Sequence, residues 1–184
     1  SVKEYDEKIN TGRMIELHRI FGNETKFIVV DVDPRPGVPF EQTKKLTKDL
    51  ADYIEKSIGE VRKIDIIFSG SRGFHIYGWL SEPGPTKRFH DILAGVLEKF
   101  IEEHPEYKAS LSLPKDKDAT RLDITIFHEG GSIRVPYSLH KNTGLAAIPV
   151  DRDKLESFTP EMAKLNKLTK LGFVIIEEPP EKKA

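Results

Sequence analysis

The chain contains no cysteine. That absence removes disulfides, thiolate zinc sites and cysteine nucleophiles together. It also lacks any excess of charge: 29 Lys and Arg stand against 30 Asp and Glu, a formal net charge of -1. A phosphate-binding or nucleic-acid-binding surface must therefore be a local patch and not a property of the whole chain. No apolar run is long enough to cross a bilayer, and Ser1-Val2-Lys3-Glu4-Tyr5 does not read as a signal peptide, so no membrane partner is expected. Low-complexity tracts and internal repeats are missing too. What is present, 184 residues that are 38% hydrophobic and 32% charged, suits one soluble domain with a substantial core and a heavily charged surface.

The rest of the chain is arranged around Phe27-Ile28-Val29-Val30-Asp31-Val32-Asp33-Pro34. The apolar, mostly β-branched residues read as a buried strand. Side chains at i and i+2 of a strand share a face, so Asp31 and Asp33 stand side by side at its end, which Pro34 closes. Two like charges so close repel, and hard oxygen ligands of this kind suit Mg²⁺ or Mn²⁺. Taken alone, the same motif also reads as a strand end meeting solvent.

Residues 1–25 are mostly polar, with Met14, Ile15, Leu17, Ile20 and Phe21 as an apolar cluster that suits a short helix or edge strand. After the loop Pro34-Arg35-Pro36-Gly37-Val38-Pro39, the spacing of Leu46, Leu50, Tyr53, Ile54 and Ile58 predicts a helix from about residue 40 to 57. Lys44, Lys45 and Lys48 fall mostly off that stripe and read as a solvated face. Residues 63–80 read as a β-hairpin, 64–68 and 74–80, around a turn at 69–73. Phe89, Ile92, Leu93, Val96, Leu97, Phe100 and Ile101 mark a second amphipathic helix ended by Pro105. Strands are expected at 109–113, 122–127, 132–135 and 146–150. The division expected is a core over 1–150 with a short N-terminal leader, and a C-terminal part over 151–184. In the latter, Thr159-Pro160-Glu161 starts a helix to about Leu171 and residues 172–176 add an edge strand. The resulting fold class is α+β, a mixed sheet with two helices on one face.

Two further stretches have chemistry. In Ser69-Gly70-Ser71-Arg72-Gly73-Phe74-His75, the glycines let backbone N–H groups approach a phosphate and the serines add hydroxyl donors. Arg72 adds a planar fork and His75 another donor. Arg134-Val135-Pro136-Tyr137-Ser138-Leu139-His140-Lys141 gathers cations, a hydroxyl and an imidazole on one loop. Alone, the first also reads as an ordinary glycine-rich turn and the second as a solvated loop. Asp123, on a strand rich in β-branched residues, either shares a metal with Asp31 and Asp33 or faces solvent. Together, three acids and two phosphate-gripping loops describe a two-metal device that clamps an attacking 3′-hydroxyl and a nucleoside triphosphate.

In this combination the chain resembles the archaeo-eukaryotic primase-polymerase superfamily over roughly residues 17–150. An apolar strand ending Asp-x-Asp matches Asp31 and Asp33. Ser-x-x-x-Gly-x-His matches Ser69, Gly73 and His75, and an apolar residue followed by Asp matches Leu122-Asp123. Arg134-x-Pro136-x-Ser138-Leu139-His140 resembles the primase segment that meets the incoming nucleotide. Residues 27–42 are similar to the polymerase domains of bacterial end-joining ligases, in which a His shortly before the first motif supports the site, matching His18. There are departures. Primases place Lys two residues after the motif His, whereas here Asn142 stands there and Lys141 precedes it. The ligase branch more often has Lys in place of Arg72. The cysteine-rich zinc element of many primases is absent, and only a short leader stands where repair enzymes recognise a 5′-phosphate, so that pocket is expected to be missing or reduced.

The resemblance implies a primase-polymerase fold, a mostly antiparallel sheet with an RRM-like catalytic core. It implies addition of ribo- or deoxyribonucleotides to a primer 3′-end, in replication priming or in end-joining and gap-filling repair. Asp31, Asp33 and Asp123 would hold two Mg²⁺ or Mn²⁺ ions and no zinc. Ser69, Ser71, Arg72, Gly73, His75, Arg134, Ser138, His140 and Lys141 would bind the nucleotide. The partners implied are nucleoside triphosphates, a DNA template and primer, and either a large primase subunit or a ligase and end-binding protein. The setting implied is the cytoplasm of an archaeal or other prokaryotic cell, at the nucleoid. Two readings of other classes stand beside it: a catalytically weak nucleotide-binding assembly subunit, and an Asp-x-Asp phosphatase, against which Arg35 and the want of a downstream acidic pair both count.

Overall fold

Strand β2 (Glu24–Pro34) runs through the middle of a six-stranded sheet, in a computed structural model that describes residues 18–168. The strand order is β5 (Ala109–Ser110), β6 (Thr120–Asp123), β2, β4 (Phe74–Pro85), β3 (Val61–Phe68) and β8 (Ile148–Val150). Among the described residues only β5 and β6 pair in parallel; the other pairs are antiparallel. A separate two-stranded ribbon joins β1 (His18–Ile20) to β7 (Ser132–Arg134). The architecture is the mixed α+β one expected.

Two helices cover one face of the sheet. Helix α1 (Phe40–Ser57) coincides with the expected span, and its Leu46, Leu50, Ala51 and Ile54 are buried at helical spacing. Phe40 stacks against Phe74 and meets Phe68 edge-on, which identifies the covered face as that of Phe68, Phe74, Ile76, Val30 and Val32. Helix α2 (Thr86–Glu103) lies beside α1, with the Tyr53 and Phe100 rings 5.3 Å apart. Each of these apolar side chains gains about 1.5–3 kcal/mol by leaving water. The opposite face carries Asp31, Asp33 and His75, so the helices hold the sheet from behind and leave the acids open in front.

Several expectations change, and the strand expected at 109–113 already stops at Ser110. Strand β6 ends at Asp123 instead of reaching residue 127, because the Asp123 carboxylate accepts the Thr125 N–H and hydroxyl and turns the chain. Strand β8 begins at Ile148, with Ala146 in an isolated bridge to Leu139. Lys44 is buried, not solvated: it sits at the edge of the α1 stripe, where the C-terminal segment covers it and accepts its Nζ–H groups on the Glu156 and Phe158 carbonyls. Pro160 does begin a helical turn, but a 3-10 one over Pro160–Ala163, followed by the short helix α3 (Leu165–Leu168). The edge strand expected at 172–176 lies outside the described residues.

Candidate active site

The register of the central strands assembles the site. Asp31 on β2 faces His75 on β4 from one side and Asp123 on β6 from the other, while Asp33 faces Arg121. The glycine turn between β3 and β4 then carries the chain over the same end of the sheet. Gly73 is required there by close approach: a Cβ at that position would lie 2.0 Å from the Val32 carbonyl oxygen and 3.1 Å from Pro34 Cδ. Gly70 has φ +86, the left-handed region that glycine adopts without cost. Ser69 N–H donates to the Gly73 carbonyl at 3.0 Å and closes the turn.

The loop after β7 is tied to this turn. Arg134 donates to the Ser69 carbonyl at 2.7 Å, and the Thr143 hydroxyl donates to the Gly70 carbonyl. The His140 N–H bonds the Leu145 carbonyl at 2.8 Å. His140 Nδ1 accepts the Asn142 N–H at 3.2 Å, so a neutral ring carries its hydrogen on Nε2. Between turn and loop lies a polar cleft of about 460 Å³ lined by Asp31, Asp33, Ser69, Ser71, Arg72, Gly73, His75, Arg134, His140 and Asn142.

Its electrostatics follow from crowding. Burial, then Asp33 and Asp123, raise the Asp31 pKa to about 7, against the pull of Arg134 and Arg121. Burial, with Arg134 and His18 nearby, lowers the His75 pKa to about 3, so the ring is neutral at ordinary pH. His75 Nε2 stands 3.7 Å from Asp31 Oδ1, too far for a hydrogen bond, and its buried Nδ1 has no hydrogen-bond partner among the described residues. Asp123 is more engaged: Oδ1 accepts from Thr125 N and Oγ1 at 2.8 and 2.6 Å, and Oδ2 pairs with Arg121 at 2.8 Å.

Of the residues singled out in the sequence, Asp31, Asp33, Ser69, Ser71, Arg72, Gly73, His75, Arg134 and His140 share the cleft. Asp123 does not line it but stands opposite Asp31, paired with Arg121. His18 is exposed on β1 opposite Arg134, within electrostatic range of His75. Ser138 is buried and donates to the Val135 carbonyl at 3.0 Å, and Lys141 is exposed and does not line the cleft. Asn142, read from the sequence only as a departure from the primase pattern, does line it. Arg121 was missed as well, although it stands two residues before Asp123 and so shares its face.

The residues suit a hard divalent cation at Asp31 and Asp33, whose carboxylate oxygens crowd together at the cleft. Among the described residues, however, no three His, Asp or Glu side chains are already gathered as a metal cage. Asp123, opposite Asp31, is occupied by Arg121 and Thr125.

Comparison with known proteins adds the following. A family model described as "LigD, primase-polymerase domain" matches residues 10–171. An uncharacterized protein of Methanocaldococcus jannaschii is 27% identical over 139 residues, which are 72% of this chain and 30% of that protein. The solved polymerase domain of Mycobacterium tuberculosis ligase D, in complex with DNA, superposes with a TM-score of 0.67 at 22% identity. That match covers 86% of this chain and 57% of the solved one.

Proposed function

The chain belongs to the LigD primase-polymerase domain family, within the archaeo-eukaryotic primase-polymerase superfamily, and on that premise we propose that it is a template-directed nucleotidyltransferase that extends a DNA primer in repair. The observation that carries the reading is the register that sets Asp31 between His75 and Asp123 beside a polar cleft of about 460 Å³. The shared fold with the DNA-bound ligase D domain supports it.

In this reading the triphosphate lies in the cleft. Ser69 and Ser71 donate hydroxyl hydrogens, Arg72 and Arg134 offset the anionic charge, and His140 donates from Nε2. His75, held neutral, donates or accepts without adding charge beside Asp31. Asp31 and Asp33 would hold the divalent cation, Mg²⁺ or Mn²⁺, with Asp123 joining as Arg121 yields. The chemistry such an ion supplies is activation of the attacking 3′-hydroxyl and neutralisation of the departing pyrophosphate. The hydroxyl oxygen bonds to the α-phosphorus, the bond to pyrophosphate breaks, and the hydroxyl proton leaves to solvent or a carboxylate.

The test is incubation with Mn²⁺, labelled ribo- or deoxyribonucleotides, and templates with and without a primer. Extension of the primed template is expected, and its loss in the Asp31→Ala, Asp33→Ala double variant with the fold intact. Products on the unprimed template add initiation. Triphosphate binding without incorporation would instead favour an assembly subunit.

A further inference from the structure

Beyond the cleft the same face of the sheet is covered, with Phe27, Val29 and Tyr77 buried, until Trp79 at its far end returns to the surface. His75, Tyr77 and Trp79 of β4 alternate onto that face, and the pairing runs without a shift from Asp31 opposite His75 to Phe27 opposite Trp79. Trp79 therefore lies four residues along from the acids. That is about 13 Å at the rise of a strand, or about four stacked nucleotides. On β3, Lys63 stands opposite Trp79 and Asp65 opposite Tyr77.

Trp79 is 37% exposed, yet it is held in place. Its indole N–H donates to Asp65 Oδ2 at 2.7 Å, and its ring meets the Phe27 ring at 5.3 Å. The Asp65 charge, which would repel a phosphate, is offset by Lys63 at 2.8 Å. The Arg19 guanidinium stands 4.7 Å from the Phe27 ring centre, and Arg19, exposed Ile20 and Phe27 line a cleft of about 340 Å³. Arg19 and Trp79 thus share the Phe27 ring as a common neighbour. A fixed, half-open indole with a cation one ring away is the chemistry that takes an unpaired base: any base stacks, and the cation meets a nearby phosphate.

We propose that Trp79 and Arg19 form a stacking platform for an unpaired base of the nucleic-acid strand on which the acid cleft acts. The proposal rests on the polymerase reading and deepens it. The occupant is single-stranded, because a blunt duplex offers no free base face along its length.

Trp79 is the only tryptophan in the chain, so intrinsic fluorescence reads this site alone. Titration of the whole protein with a single-stranded oligonucleotide at low salt, without metal or triphosphate, is expected to quench its emission, and an equal concentration of blunt duplex to leave it unchanged. By anisotropy of a labelled single strand, Trp79→Ala is expected to weaken binding about tenfold, whereas Trp79→Phe, which keeps a stacking ring, retains most of it. Arg19→Gln is expected to weaken binding and to flatten its salt dependence by about one ion. Binding with unchanged emission, or equal quenching by the duplex, overturns the platform. Incorporation on a primed template, measured separately, then still stands for the polymerase reading. Absence of both binding and incorporation overturns both.

Discussion

Asp31 and Asp123 stand directly opposite one another across the β2–β6 pair. Like charges so placed destabilise a sheet, and burial first, then Asp33 and Asp123, raise the Asp31 pKa to about 7. In the metal-free protein, folded Asp31 keeps a proton that an unfolded carboxylate, with a pKa of about 4, releases. The folded state thus binds more protons between those values, and stability falls as pH rises through the window. Asp31→Asn removes the effect. In the presence of a chelator, its melting temperature should exceed that of the wild type at pH 8, with the gap shrinking toward pH 4. A gap that does not change with pH contradicts the raised pKa.

The glycines divide sharply. A Cβ at Gly73 meets the Val32 carbonyl, whereas one at Gly95, on the exposed side of α2, meets nothing within 4 Å among the described residues. Gly73→Ala should cost at least about 2 kcal/mol in urea unfolding and remove activity. Gly95→Ala should add about 1 kcal/mol of stability, the ordinary gain in a helix interior.

Lys44 fastens the C-terminal segment to α1 through the Glu156 and Phe158 carbonyls, and Arg152 adds pairs to Asp52 and Glu55 at 2.8 and 2.7 Å. Lys44→Met leaves two carbonyls buried without donors. A loss of about 2–4 kcal/mol is expected, with faster limited proteolysis within residues 151–163. Unchanged cleavage there would contradict the latch.

Asn142 lines the cleft and Lys141 does not. Triphosphate affinity by calorimetry should fall about threefold or more in Asn142→Ala, the worth of one hydrogen bond, and stay nearly unchanged in Lys141→Ala. The reverse order would assign the cation the role that resemblance suggested.

Much of this was legible before the structure. Periodicity gave α1 to the residue, because Leu46, Leu50 and Ile54 repeat without interruption. The pairing of Asp31 with Asp33 followed from the two-residue repeat of a strand. What periodicity does not contain is cross-strand register. That Arg121 faces Asp33 depends on how β6 slides against β2, which is set by the turn at Thr125 and by core packing of Leu122. The burial of Lys44 likewise depends on a segment more than a hundred residues away. Residues 136–145 have no repeat at all, so which of Lys141 and Asn142 faces the cleft is decided by local bonds such as Asn142 N–H to His140.

Strand β6 is only four residues long and is preceded by the charged run Lys115-Asp116-Lys117-Asp118. Insertions within 111–116, before the Lys117 carbonyl accepts the Gly37 N–H, lengthen an exposed connection and cost little. One residue gained or lost inside 120–123 is different in kind, for it turns the strand over, sending Asp123 into the apolar core and Leu122 out among the carboxylates. Length variation among relatives should therefore gather just upstream of this strand and stop short of Lys117.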